Sequence, residues 1–269
     1  MHMVTLSFSD LSSWIASRQS QGLYYFTREE ALNALSTTEV AIKQSILRLI
    51  KKKRVARIRG GFFIIIPLEY ANTGVLPAEW FINDLMSYVE QPYYVGLLNA
   101  AVLHGAAHQQ PQQFHVVTTK PLREIRFKSL TIRFFVKKQF AVTPVIQVKV
   151  QTGFIPVSTP EATALDLIRY AGSIGGMDRV LTVLNELGEV MNAPKLVEVV
   201  KGDENLTYAQ RLGWLLEKAG YSALIQELSQ WINEKNPLPA KLEPSLPIRG
   251  AKRDGRWRLI INSEVESDF

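Results

Sequence analysis

The spacing of apolar and polar positions changes several times along this chain. Leu11, Trp14 and Ile15 recur at helical spacing behind Ser9 and Asp10, which predicts a short helix from Asp10 to about Gln19, ended by Gly22. Leu23-Tyr24-Tyr25-Phe26 is a short aromatic piece of strand type. Thr27 and Glu30 form a capping box for a second helix to about Leu35, with Ala31, Leu32 and Leu35 inward. Ser36-Thr37-Thr38 is a turn with two N-cap candidates. The helix that follows runs to about Lys52 and places Ile42, Ile46, Leu49 and Ile50 on one face, with Lys43, Gln44 and Arg48 off it. Two β-rich runs, Val55 to Arg59 and Phe62 to Ile66, flank Gly60-Gly61 as a hairpin that Pro67 stops.

Beyond this point the pattern is mixed. Leu68 to Pro77 reads as a linker or domain edge. Helices are expected at Trp80 to Val89 and, after Pro92, from Tyr93 to about Ala107. Strands follow at Phe114 to Thr119, Leu130 to Val136, Val145 to Val150 and Gly153 to Val157. Thr159 caps a helix whose first position is Pro160, where the missing N–H costs nothing; Ala164, Leu165 and Ile168 form its buried face. Further helices are expected at Met177 to Met191, Pro194 to Lys201, Thr207 to Ala219 and Tyr221 to Asn233. Pro237, Pro239, Pro244 and Pro247 mark an extended stretch. Trp257 to Ile261 reads as a final strand able to pair back onto the sheet. The expected fold class is α+β: a winged helix-turn-helix over residues 1–67, then a larger mixed α/β domain over 68–269 with a small sheet and a helical C-terminal part.

Charge sharpens this picture. The 269 residues carry a net charge of +6, and the stretch to Pro67 holds ten Lys and Arg against four acids, so the remainder is balanced. A localised positive field attracts a polyanion, although a solvated charged face is the bland alternative. In a winged helix the third helix enters the major groove. Thr37 and Thr38 would then meet phosphate, Lys43 and Gln44 would reach base edges, and Arg48, Lys51, Lys52 and Arg54 would face phosphates. Arg57 and Arg59 flank the hairpin tip, where a minor groove could receive them. A second basic cluster, Lys120, Arg123, Arg126, Lys128 and Arg133, is either another DNA-facing surface, a face for an acidic partner or a solvated hairpin.

The rest of the chemistry is sparse. The chain has no cysteine, which excludes disulfides, thiolate metal sites and cysteine nucleophiles. His104 and His108 share a helix face at a zinc-compatible spacing, but no acid accompanies them, and a role at a helix end is the plainer reading. His115, in a strand, reads as structural. Gly175-Gly176 lacks the remainder of a phosphate-binding loop, and no nucleophile elbow is present. Glu161 and Asp166 do not share a helix face well and read as surface acids. The expectation is a protein without catalytic residues, metal or cofactor. With neither a secretory pattern at the N-terminus nor an apolar stretch of membrane-spanning length, the expected location is the cytoplasm, with no membrane partner.

The run from Ile46 through Val55, then Arg57, Gly60-Gly61 and Phe62-Phe63, resembles the start of AbiEi-type antitoxins of abortive-infection, type IV, toxin–antitoxin pairs. Tyr93 to Ala101 with His104-Gly105, Val116 to Thr119 and Val157 to Ile168 resemble the same family. The resemblance implies an autorepressor bound to inverted repeats in its own promoter, and a C-terminal domain that counters a nucleotidyltransferase-like toxin encoded beside it. Lys53 departs from the glycine often found after the third helix. A ligand-responsive regulator with a small-molecule-binding C-terminal domain is the alternative reading.

Overall fold

A computed structural model describes residues 8–106 and 111–267. Its first unit follows the order expected from the sequence: α1 (Leu11–Ser20), β1 (Tyr25–Thr27), α2 (Arg28–Leu35), α3 (Glu39–Lys51), β2 (Val55–Arg59) and β3 (Phe62–Ile65). Local chemistry sets the helix starts. Asp10 and Ser13 make one capping box, Thr27 and Glu30 a second, and the Thr38 hydroxyl accepts from the Ala41 N–H. The end of α3 is a Schellman turn: Lys53 adopts φ 57°, its N–H donates to Ile50 O, and Arg54 N–H donates to Leu49 O. The expected departure from glycine is thus real, since a lysine holds the left-handed position at a steric cost.

Strands β1, β3 and β2 form a three-stranded sheet in that order. Phe62, Phe63, Ile64 and Ile65 are all buried, although strand side chains alternate between faces. Phe63 and Ile65 pack with Leu11, Trp14, Phe26, Ile42, Ile46 and Leu49, closing the small core of the first unit. Phe62, Ile64 and Ile66 point the other way, into a second core with Leu76, Phe81, Ile82, Leu85, Val95, Val116 and Ile132. The unbroken apolar run is therefore a strand covered on both faces. Hydrophobic contacts cross position 67, and burying such a Phe or Ile is worth about 1.5–3 kcal/mol each. The segment after Pro67, expected as a linker or edge, turns through 3₁₀ pieces, one at each end, and buries Leu76 in this core.

The second unit continues with α4 (Ile82–Tyr88), β4 (Tyr93–Val95), α5 (Leu97–Leu103), β5 (Phe114–Thr118), β6 (Ile125–Phe127), β7 (Leu130–Val136), β8 (Val145–Val150) and β9 (Gly153–Ser158). These six strands form one mixed sheet in the order β6-β7-β5-β4-β9-β8. The helix expected from Tyr93 is corrected here: Tyr93–Val95 is a strand paired antiparallel with β5, and the helix begins only at Leu97. Gly96 makes the corner, because a Cβ there would come within 2.9 Å of Val117 Cγ2.

Helices α6 (Pro160–Arg169), α7 (Ala171–Ile174), α8 (Gly176–Leu187), α9 (Ala193–Asp203), α10 (Leu206–Lys218) and α11 (Gln226–Lys235) build the largest core against the other sheet face, where Tyr94, Val117 and Phe135 point. The last of these starts at Gln226 rather than near Tyr221. The final strand does not join the main sheet. It is β12 (Leu259–Ile261), central between β10 (Ala240–Lys241) and β11 (Lys252–Asp254) in a separate small sheet. Trp257 anchors that sheet: its ring is buried against Gly213 of α10, where any Cβ would collide with it. The mixture of helices and several sheets is α+β. Among the described residues no helix is long and apolar enough to cross a membrane.

Candidate nucleic-acid interface

The inner face of α3 is fixed by Ile42, Ile46 and Leu49, and this decides what the outer face shows. Lys43, Gln44, Arg48, Lys51 and Lys52 are exposed, as are Thr37 and Thr38 in the turn before the helix. Val40 and Leu47 are exposed too, at 71% and 50%. Sequence reasoning on charge passed over both. Their spacing from Gln44 was the available signal.

Arg54 differs from its neighbours. It is half-buried at the helix end and its Nε has no hydrogen-bond partner. In the hairpin, Arg57 is exposed and donates from Nε to Gly60 O at 2.8 Å. Arg59 is half-buried and donates from Nη1 to Arg123 O at 3.1 Å. Tyr88 of α4 accepts at its hydroxyl from the Gly61 N–H at 3.1 Å. The hairpin tip is therefore tied to the second unit at two points.

Through Arg59, the structure brings the two basic clusters together. Lys120, Arg123, Arg126 and Lys128 lie in and around β6, and all four are exposed. Their charges are not equally available. Arg126 forms an ion pair with Glu124, and Lys128 donates from Nζ to Thr73 O at 3.3 Å. Arg133 lies apart on β7, where Nη1 donates to Ser173 O and the guanidinium sits over Phe135.

Among the described residues no group of His, Asp and Glu could hold a metal ion. His104 Nε2 is 2.7 Å from Ser158 O, and His108 lies outside the described residues. His115 is buried edge-on to Phe135, and burial together with the Arg133 charge lowers its pKa to about 4. It is neutral at pH 7.

The acids Glu161 and Asp166, expected on the surface, are buried at 2% and 0% exposure. Each is held by specific donors. Glu161 accepts from the Asn192 N–H at 2.8 Å. Asp166 takes the Tyr94 hydroxyl at 2.6 Å on one oxygen and Lys137 Nζ at 2.7 Å on the other. Lys137 also lies 3.6 Å from Asp203, which receives Arg169 on both oxygens. Two cations and two anions thus balance between the residue after β7, α6 and α9. Burial, reinforced by Asp166, pushes the Tyr94 hydroxyl well above the usual phenol range. The partners are far apart in sequence, so no local pattern could announce them.

This helical layer on a mixed sheet has relatives. Residues 94–218 match the family model described as the AbiEi antitoxin C-terminal domain. The match supports an antitoxin role in a toxin–antitoxin pair. Among solved structures, the RV2827C protein from Mycobacterium tuberculosis is similar over 93% of this chain and 90% of its own, with a TM-score of 0.67 at 13% identity. That likeness is one of fold. The antibiotic-resistance factor ANT(2'')-Ia aligns over 58% of this chain and 93% of its own, at a TM-score of 0.28 and 9% identity, too slight to carry an argument. No curated protein matches the chain.

Proposed function

We propose that residues 1–67 are a winged helix-turn-helix that binds double-stranded DNA at inverted repeats in the protein's own promoter, and that the chain is an autorepressing antitoxin. The toxin it counters would be a nucleotidyltransferase-like protein encoded alongside. One observation carries the DNA-binding reading: α3 presents Lys43, Arg48, Lys51 and Lys52 to solvent while its apolar face is locked inward. Thr37 and Thr38 sit at the helix start, where hydroxyls and free N–H groups suit a phosphate. The bond from Arg59 to Arg123 supports one continuous basic surface that runs from α3 over the hairpin to Lys120, Arg126 and Lys128. Domain 68–269 would then both extend the DNA contact and serve the toxin.

The test uses substitutions in the whole chain, because the hairpin is buried on both faces and deleting residues 1–67 would expose the second core. Binding to the protein's own upstream DNA and to a scrambled duplex is titrated over a salt series. Lys51→Ala and Lys52→Ala should weaken binding to both duplexes and flatten the salt slope by about 0.9 each. Lys43→Ala and Gln44→Ala should erode the preference for the upstream DNA. Unchanged binding in all four variants refutes the docking. Growth rescue when the adjacent gene is co-expressed tests the antitoxin half.

A second reading, a regulator that answers to a small molecule, is favoured by an open cleft of about 510 Å³ lined by Tyr70, Val75, Asn99, Phe114 and Leu130. A thermal-shift screen with metabolites distinguishes it, since a ligand of the native state raises the melting temperature.

A further inference from the structure

We infer that Val40, Gln44 and Leu47 form a reading head for an A·T-containing half-site, with the two apolar side chains seated on thymine 5-methyl groups. The inference rests on the DNA-binding reading above and adds the base chemistry it selects. At about 100° per residue, Val40, Gln44, Leu47 and Lys51 fall within roughly 60° of arc on the outward side of α3. Lys43 and Arg48 border that strip on either side. Glu39, the helix's single acid, points about 100° away from Val40.

Single exposed apolar residues need no explanation. Two of them in line, on either side of an amide and fenced by cations, describe a surface with a particular counterpart. The cations suit a polyanion, and the strip between them suits something apolar inside it. The major groove of duplex DNA supplies both, because thymine alone places a methyl group there. Gln44 is the side chain suited to adenine, through its N6 and N7. The rise of the helix separates Val40 from Leu47 by roughly 10.5 Å, close to three base-pair steps of about 3.4 Å. Gln44 lies between them. The expected half-site is an adenine with a thymine methyl within reach on each side. A protein partner for the same strip would have to be acidic and apolar at once, and it would be indifferent to DNA methyl groups.

The experiment selects from a randomised duplex library with the full-length protein. The enriched sequence is then synthesised twice, with thymine and with uracil. Binding is titrated at one salt concentration for wild type, Val40→Ala and Leu47→Ala, with circular dichroism as the folding control. Both residues are exposed, so the variants should fold as wild type does. Wild type should lose roughly four-fold in affinity for each contacted methyl removed. Each alanine variant should lose less on uracil replacement, because one of its contacts is already gone. If wild type binds both duplexes alike and still rejects a scrambled one, methyl reading is overturned while DNA binding stands. If the alanine variants weaken binding yet remain as sensitive to uracil as wild type, the strip is not the reader. If no duplex is preferred, both readings fall.

Discussion

Asp166 offers a quantitative test of how the second unit is held together. Its two carboxylate oxygens receive different donors, the Tyr94 hydroxyl and Lys137 Nζ. Asparagine has one acceptor, so in Asp166→Asn the amide N–H₂ must face one of those donors. The anion beside Lys137 disappears as well. Lys137, 3% exposed, is left with Asp203 at 3.6 Å, which Arg169 already holds on both oxygens. Removing one partner of a buried pair costs about 3–5 kcal/mol, and the surviving Asp203 argues for the lower end. An unfolding entropy of about 2.1 cal/mol/K per residue converts about 3 kcal/mol into a drop of roughly 5 °C in Tm for a chain of this length. Thermal melts and urea titrations of Asp166→Asn, Lys137→Met and the double variant measure it. Both single variants should fall, and the double should recover to within about 1 kcal/mol of wild type, since it buries neither unpaired charge. A double variant that loses the sum of the two singles refutes the coupling. So does an Asp166→Asn protein that melts with wild type.

Other outcomes follow from single positions. Burial raises the Asp84 pKa from 3.8 to about 6, beside Tyr25, Arg18 and Glu30. The folded state therefore binds the Asp84 proton more tightly than the unfolded chain does. That contribution to stability is complete below about pH 4 and is lost as pH rises through 6. Asp84→Asn should flatten urea midpoints between pH 4 and 6, and raise stability at pH 7 by about 1 kcal/mol once partial exposure is allowed for. A variant whose pH profile parallels wild type would count against it. Lys53→Gly relieves the left-handed lysine after α3 and should stabilise by about 0.5–1 kcal/mol in urea titrations; a loss would mean that the Schellman turn holds lysine without strain. Gly213→Ala drives a Cβ into the Trp257 ring and should cost about 1–3 kcal/mol, with a red shift of tryptophan fluorescence as the small sheet loosens. Wild-type stability would show that the ring can move aside.

Sequence by itself determined whatever is settled within a few residues. The capping boxes at Asp10 and Thr27, the Thr38 cap and the apolar stripe of α3 needed only neighbours three or four positions away. Stripe and charge together also marked which side of α3 faces solvent, and the basic positions of the candidate interface came with them. Three things were decided by tertiary structure. Tyr93–Val95 sits in an apolar run without a period, and its partner strands β5 and β9 made it a strand instead of a helix. Phe62 to Ile66 read as one hydrophobic run, while the division of its two faces between two cores depends on residues as distant as Leu11 on one side and Val157 on the other. Asp166 read as a surface acid because its partners, the Tyr94 hydroxyl from β4 and the Lys137 ammonium from the end of β7, reach α6 from distant parts of the chain. Burial of a charge depends on what surrounds it in space, and local spacing carries no information about that.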